Sequence, residues 1–198
     1  MIEEPAAIGR VTRSSTRGFV GAVRLPEPEI PVFGAFCLAD AQRGQSAVIG
    51  LIYDISIEDD AFARQMATSE GLAPEQLADA RFNRQVPVEF SALAVGFRLP
   101  GGFRYSLPPQ PPLTMAPIHP LASAEIRSFT DRPEWIPLVL GAAEIPADDL
   151  LAASLRLAAE ARPDAERLPF LVAAGRECAR LLSHDLSRLD NLLRTLQA

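Results

Sequence analysis

Along the first half of the chain, apolar positions come in short runs separated by glycine, proline and polar clusters. Ile8-Gly9-Arg10-Val11-Thr12 is one such run, and residues 18–23, 35–38 and 47–55 are others. They are rich in β-branched and aromatic residues, which marks them as strands. Residues 13–18 read as a turn, 26–31 as a loop and 42–45 as a hairpin connection. Strand character resumes at Val86 and runs to about Phe97. Pro100-Gly101-Gly102 then turns the chain into Phe103-Arg104-Tyr105, a further hairpin arm. Short strands with regular turns predict a small barrel or sandwich. A lone small sheet leaves backbone groups unpaired at its edges, and closure removes those edges.

Two stretches break the strand rhythm. In residues 57–84, Phe62 and Met66 stand at helical spacing after Glu58-Asp59-Asp60, and Pro74-Glu75 opens a second turn of helix. This predicts a helical insertion. Residues 107–120 hold six prolines, which argue against a helix or a central strand. The segment reads as extended chain crossing the end of the barrel, with Leu113, Met115 and Ile118 packed beneath it. Ser123 is the predicted N-cap of a short helix.

From residue 145 the period changes to that of helices. Leu150, Leu151, Leu155 and Leu157 follow Asp148-Asp149, and Arg162-Pro163-Asp164 ends this helix and starts the next. The last helix is predicted to run from Asp164 to Leu196, through Pro169. Its seam comprises Leu168, Leu171, Gly175, Cys178, Leu182, Leu189, Leu192 and Leu196, widened by Leu181, Leu186 and Leu193. The expected architecture is therefore α+β: a β-barrel unit over 6–130 with a helical insertion at about 57–84, then a C-terminal helical hairpin over 145–197.

Composition narrows the function. The 198 residues include nineteen arginines and no lysine. That excludes a P-loop, which needs a lysine on the β/γ-phosphates, and Schiff-base chemistry. A net charge of −6 argues against a dedicated nucleic-acid binder. Cys37 and Cys178, each among apolar neighbours, read as packed thiols. The absence of a long apolar run or a signal-peptide pattern points to the cytoplasm.

Candidate chemistry is sparse. His119 lies in the extended segment. His184-Asp185 resembles half of a metal-dependent dyad, which would need further ligands; a solvated helix face is the simpler reading. Glu58-Asp59-Asp60 and Asp148-Asp149 fit helix starts, where carboxylates offset the macrodipole. Trp135, the single tryptophan, reads as an anchor between barrel and helices. Arg10, Arg13, Arg17 and Arg24 cluster in the first hairpin and form the strongest local basic patch.

The order of Ile8-Gly9-Arg10-Val11, Ser14-Ser15-Thr16, Phe19, Gly34-Ala35-Phe36 and the run Val48 to Ile55 resembles the HAS-barrel. This domain is shared by HerA-type DNA-translocating ATPases and rotary ATP synthases. Pro108-Pro109-Gln110-Pro111-Pro112 and Ala122-Ser123-Ala124-Glu125-Ile126 look like the segment leading from such a barrel to its ATPase core. Here that core is replaced by the helical tail, and Thr114-Met115-Ala116 stands where a glycine turn is expected. The resemblance implies a module that assembles subunits or docks protein partners such as a ring ATPase or a nuclease, with no catalytic residue and no cofactor. Its expected contact surface is Arg10, Arg13, Arg17, Arg24, Leu182, Leu189, Leu193 and Leu196. Two alternatives stand beside it: a small hydrolase using His184 or His119 with carboxylates, and a nucleic-acid-binding barrel using the arginine hairpin.

Overall fold

A computed structural model describes residues 6–24, 31–57 and 87–197. Its strands are β1 (Gly9–Ser15), β2 (Gly18–Arg24), β3 (Phe36–Ala41), β4 (Ser46–Ile57), β5 (Pro87–Leu99), β6 (Gly102–Arg104) and β7 (Pro117–Pro120). All pairings are antiparallel, in the order β2-β1-β7-β3-β4-β5-β6. A full ladder between β2 and β5, from Gly18↔Leu93 to Arg24↔Pro87, closes six of these strands into a barrel and leaves β6 outside as a hairpin arm. Of the predicted insertion at about 57–84, Ile57 ends β4 and residues 58–84 lie outside the described residues.

The barrel interior is narrow and is filled by a few large residues set against small ones, as tapering barrels require. Phe19, Phe90, Val48, Ile52 and Ile118 share it with Ala39, Ala41, Ala92 and Ala94. Gly21 makes room for them: a Cβ there would lie 2.5 Å from the Phe90 ring and 2.4 Å from the end of Ile118.

The proline-rich segment departs from expectation. Its last residues form β7, which stands between β1 and β3 in the barrel wall. A central strand is tolerated because the prolines occupy only its first and last positions, and the bonds to β1 use the carbonyls of the residues beside Pro117. Ala116 O accepts the Val11 N–H at 3.0 Å, and Ile118 O accepts the Ile8 N–H at 2.8 Å. Ile118 is buried as expected, but Leu113 and Met115 face solvent. Met115 takes the left-handed backbone (φ 67) at the point where a glycine would be more at ease. The first turn is also shorter than predicted. β1 continues through Ser15, leaving only Thr16 and Arg17 between paired Ser15 and Gly18.

Five helices follow: α1 (Ser123–Thr130), α2 (Ile136–Leu140), α3 (Ala147–Glu160), α4 (Asp164–Leu181) and α5 (Leu186–Gln197). Ala122, not Ser123, caps α1, and Glu125 accepts the Ala122 N–H at 3.2 Å. The long final helix predicted from the leucine pattern is two helices. It breaks at residues 182–185, and the Asp185 carboxylate accepts the Arg188 N–H at 3.0 Å, capping α5. α4 runs unbroken through Pro169.

These helices lay a second core on the outside of β3, β4 and β5. Phe36, Ile49, Leu51 and Val95 point outward from the strands into Phe129, Trp135, Ile136, Val139, Leu150, Leu151 and Leu155. Trp135, 1% exposed, packs edge-on to Phe36 at 5.6 Å and so joins barrel to helices, as its sequence setting suggested. Gly34 lets α3 approach the barrel, and its carbonyl accepts the Ser154 hydroxyl at 2.9 Å. Arginines tie the helices together. Arg188 reaches both Asp148 carboxylate oxygens at 2.7–3.0 Å, joining the starts of α3 and α5. Arg162, 5% exposed at its side chain, donates to Thr130, Ala158 O and Asp131 and lies 3.8 Å over the Phe170 ring. Burial pulls this guanidinium below its ordinary pKa, with Asp131 opposing the shift.

Candidate functional site

Among the described residues the barrel has one side covered by helices and one side without them, and the site lies where they meet. β1 alternates buried and exposed residues, so its outward side chains reach solvent. A bulge interrupts its pairing: Val11 faces Gly21 and Arg13 faces Val20, leaving Thr12 as the extra residue. A second bulge in β4 leaves Tyr53 extra between Ile52↔Ala92 and Asp54↔Ser91. Bulges re-aim side chains and frequently flank functional sites. Here Arg13 and Tyr53, the residues beside and within these bulges, both line a cleft of about 320 Å³.

The cleft is open to solvent and bounded by two regions of the chain. The β1–β2 hairpin supplies Arg13, Ser14, Ser15 and Arg17. The segment between α2 and α3 supplies Ala142, Glu144 and Ile145. Phe19, Val20, Ala92 and Leu93 add apolar surface. The serines are already engaged: Ser14 donates to Pro112 O at 2.8 Å and Ser15 to Gly18 O at 3.3 Å. The arginines are not. The Arg13 side chain has no hydrogen-bond or ion-pair partner among the described residues. Among the described residues the Arg17 side chain reaches only the Glu144 carboxylate, at 3.9 Å, with both side chains more than two-thirds exposed (67% and 82%). Such a pair contributes little in water. The cleft thus offers two accessible guanidiniums beside an apolar wall.

The other residues singled out from the sequence disperse. Arg10 lies on the same hairpin, exposed, donating to Met115 O at 3.1 Å. Arg24 ends β2. Leu182 is 3% exposed and belongs to the molecule's own core, so it presents no outer surface. Leu189 and Leu196 are half-buried against that core, and Leu193 packs toward Gly175 of α4, 3.8 Å from where a Cβ would stand. The seam closes on α3 and α4 of the same chain, while Leu168, read as part of it, stands 70% exposed. His119 lies in β7 opposite Leu38, and His184 is exposed in the turn before α5. Neither lines the cleft. Asp148 and Asp149 do open a helix, and Asp148 also holds Arg188. Glu58-Asp59-Asp60 lies outside the described residues. Among the described residues no group of three or more His, Cys, Asp or Glu is placed to hold a metal ion. No described helix is long and apolar enough to cross a membrane.

Both thiols are buried. Burial raises the Cys37 pKa far above its ordinary value, and pushes Cys178 up to about 11. Tyr53 and Glu144 escaped the sequence reading. Tyr53 looked like one more strand residue, and Glu144 lies over a hundred positions from the hairpin it faces. Only the bulge and the wrapping of the helices bring them to the arginines.

No protein-family model matches the chain, and no curated protein matches it.

Proposed function

We propose that the protein is a non-catalytic interaction and assembly module of the cytoplasm, an adaptor or detached subunit for a HerA-like ring ATPase or a nuclease. The observation that carries this reading is the cleft. Its inventory of guanidiniums, hydroxyls and apolar wall is suited to holding a partner, and Arg13 and Arg17 from the predicted contact patch meet in it. A closed six-stranded barrel over the residues that resemble the HAS-barrel supports the assembly role. The bare β1 wall, with Arg10 and Met115 exposed, adds surface on the same side.

The test is solution mass by light scattering over a concentration series, together with co-expression beside a lysine-bearing ATPase or nuclease encoded next to this chain. Self-association or stoichiometric co-purification is expected. A monomer at every concentration that co-purifies with neither would overturn the proposal.

A further inference from the structure

We infer that the cleft between the β1–β2 hairpin and the segment before α3 is a docking site for an acidic peptide segment of a partner protein, with Arg13 and Arg17 receiving its carboxylates. This rests on the interaction-module reading above and names the ligand chemistry of that site.

The electrostatics set the class of ligand. Among the described residues the Arg13 side chain has no partner, and the Arg17 side chain has only its loose contact with Glu144. An arriving carboxylate gains a planar, two-donor guanidinium without breaking a strong bond. Glu144 at the mouth confines the attraction to the hairpin side and so gives the site a direction. The cleft also takes more than charge. Leu93, Val20 and Ile145 offer an apolar strip beside the arginines. A ligand with one apolar side chain next to one or two carboxylates matches both features, as a short stretch of Asp or Glu with a leucine or valine does.

Size and shape favour a peptide. About 320 Å³ lies at the lower end of the range for ligand sites, roughly 300 to 1,000 Å³. That accommodates a few residues of extended chain, and the open mouth lets the chain enter and leave. A polynucleotide fits less well. It prefers a continuous basic track with several stacking rings, and the lining here includes one carboxylate and just two aromatic residues, of which Phe19 is buried. The net charge of −6 opposes a polyanion further.

The test uses the purified full chain as bait for a random heptapeptide phage library, with an Arg13→Glu/Arg17→Glu double variant panned in parallel. Both side chains are exposed, so circular dichroism is expected to show the variant folded. The wild type is expected to enrich peptides with at least two Asp or Glu residues and one aliphatic residue. A fluorescein-labelled copy of the most enriched peptide should lose at least tenfold in affinity on the double variant and gain on Glu144→Arg. Failure to enrich acidic sequences, or equal binding to both proteins, overturns the inference. Tighter binding of a fluorescein-labelled single-stranded oligothymidine, falling steeply with salt and lost in the double variant, overturns it in favour of nucleic acid. Loss of the peptide result with self-association intact removes this ligand and leaves the assembly reading standing. A solitary monomer that still enriches acidic peptides does the reverse.

Discussion

The two sides of this barrel obey different rules, though the same ladder runs around both. On the β3–β4–β5 side the strands are buried on both faces where the helices cover them, as over Ala94 to Phe97 of β5. β4 reads as seven consecutive buried residues from Ser46 to Ile52. On the β1–β2 side no described element lies over the wall, and β1 alternates in and out. The covered side spends its outward residues on Trp135, Phe129 and the leucines of α3. The bare side spends them on Arg10, Arg13 and Thr12. A sheet face with no helix on it among the described residues is open to recognise something else, and the arginines have collected there.

The largest test of this comparison strikes the covered side. Trp135→Ala is expected to lose about 3–5 kcal/mol, the usual cost of emptying a large buried aromatic site, with a matching fall in the midpoint of urea unfolding. Next comes the barrel interior, common to both sides. Gly21→Val drives side-chain atoms into Phe90 and Ile118, and overpacking of that kind costs about 1–3 kcal/mol. A comparable loss is expected from Arg162→Ala, about 2–3 kcal/mol, because Thr130 and two helix-end carbonyls then lose their donor. A shift below half a kcal/mol would show that the clamp between α1 and α3 is ornamental. The bare side should respond least. Arg13→Glu with Arg17→Glu is expected to lower stability by no more than about 0.5 kcal/mol, while lowering peptide affinity at least tenfold.

The thiols sharpen the contrast, since each core holds one: Cys37 inside the barrel, Cys178 on the buried face of α4. Neither should react with iodoacetamide at pH 8 in the native protein. In mild urea, Cys178 is expected to be alkylated before Cys37, read by peptide mass, because a helical layer can open without breaking the closed ladder. Equal rates would mean that the two cores unfold as one unit.

Much of this arrangement was legible in the residues. Alternation and turn chemistry located β1 to β5, and the isolated Trp135 between two prolines marked the junction. What escaped depends on distance along the chain. Two prolines at the ends of a four-residue strand look like loop until Gly9 and Leu38 are seen to flank it. The leucine seam was a correct reading of periodicity with the wrong partner: it closes on α3 and α4, so Leu182 is interior. The break at 182–185 leaves little trace in a 3–4 apolar rhythm, because α5 resumes the same rhythm at Leu186. Of the cleft, the arginines were visible and their neighbours Tyr53 and Glu144 were not.

The position of β7 has a consequence for how the molecule is made. A ribosome has to deliver Pro120 before the wall between β1 and β3 exists at all. Until then the nascent chain carries one open sheet, β1-β2-β5-β4-β3, whose two edges match a strand that has not yet been translated. Shortened forms ending before residue 117 should therefore be sticky and ready to borrow that strand from a neighbour.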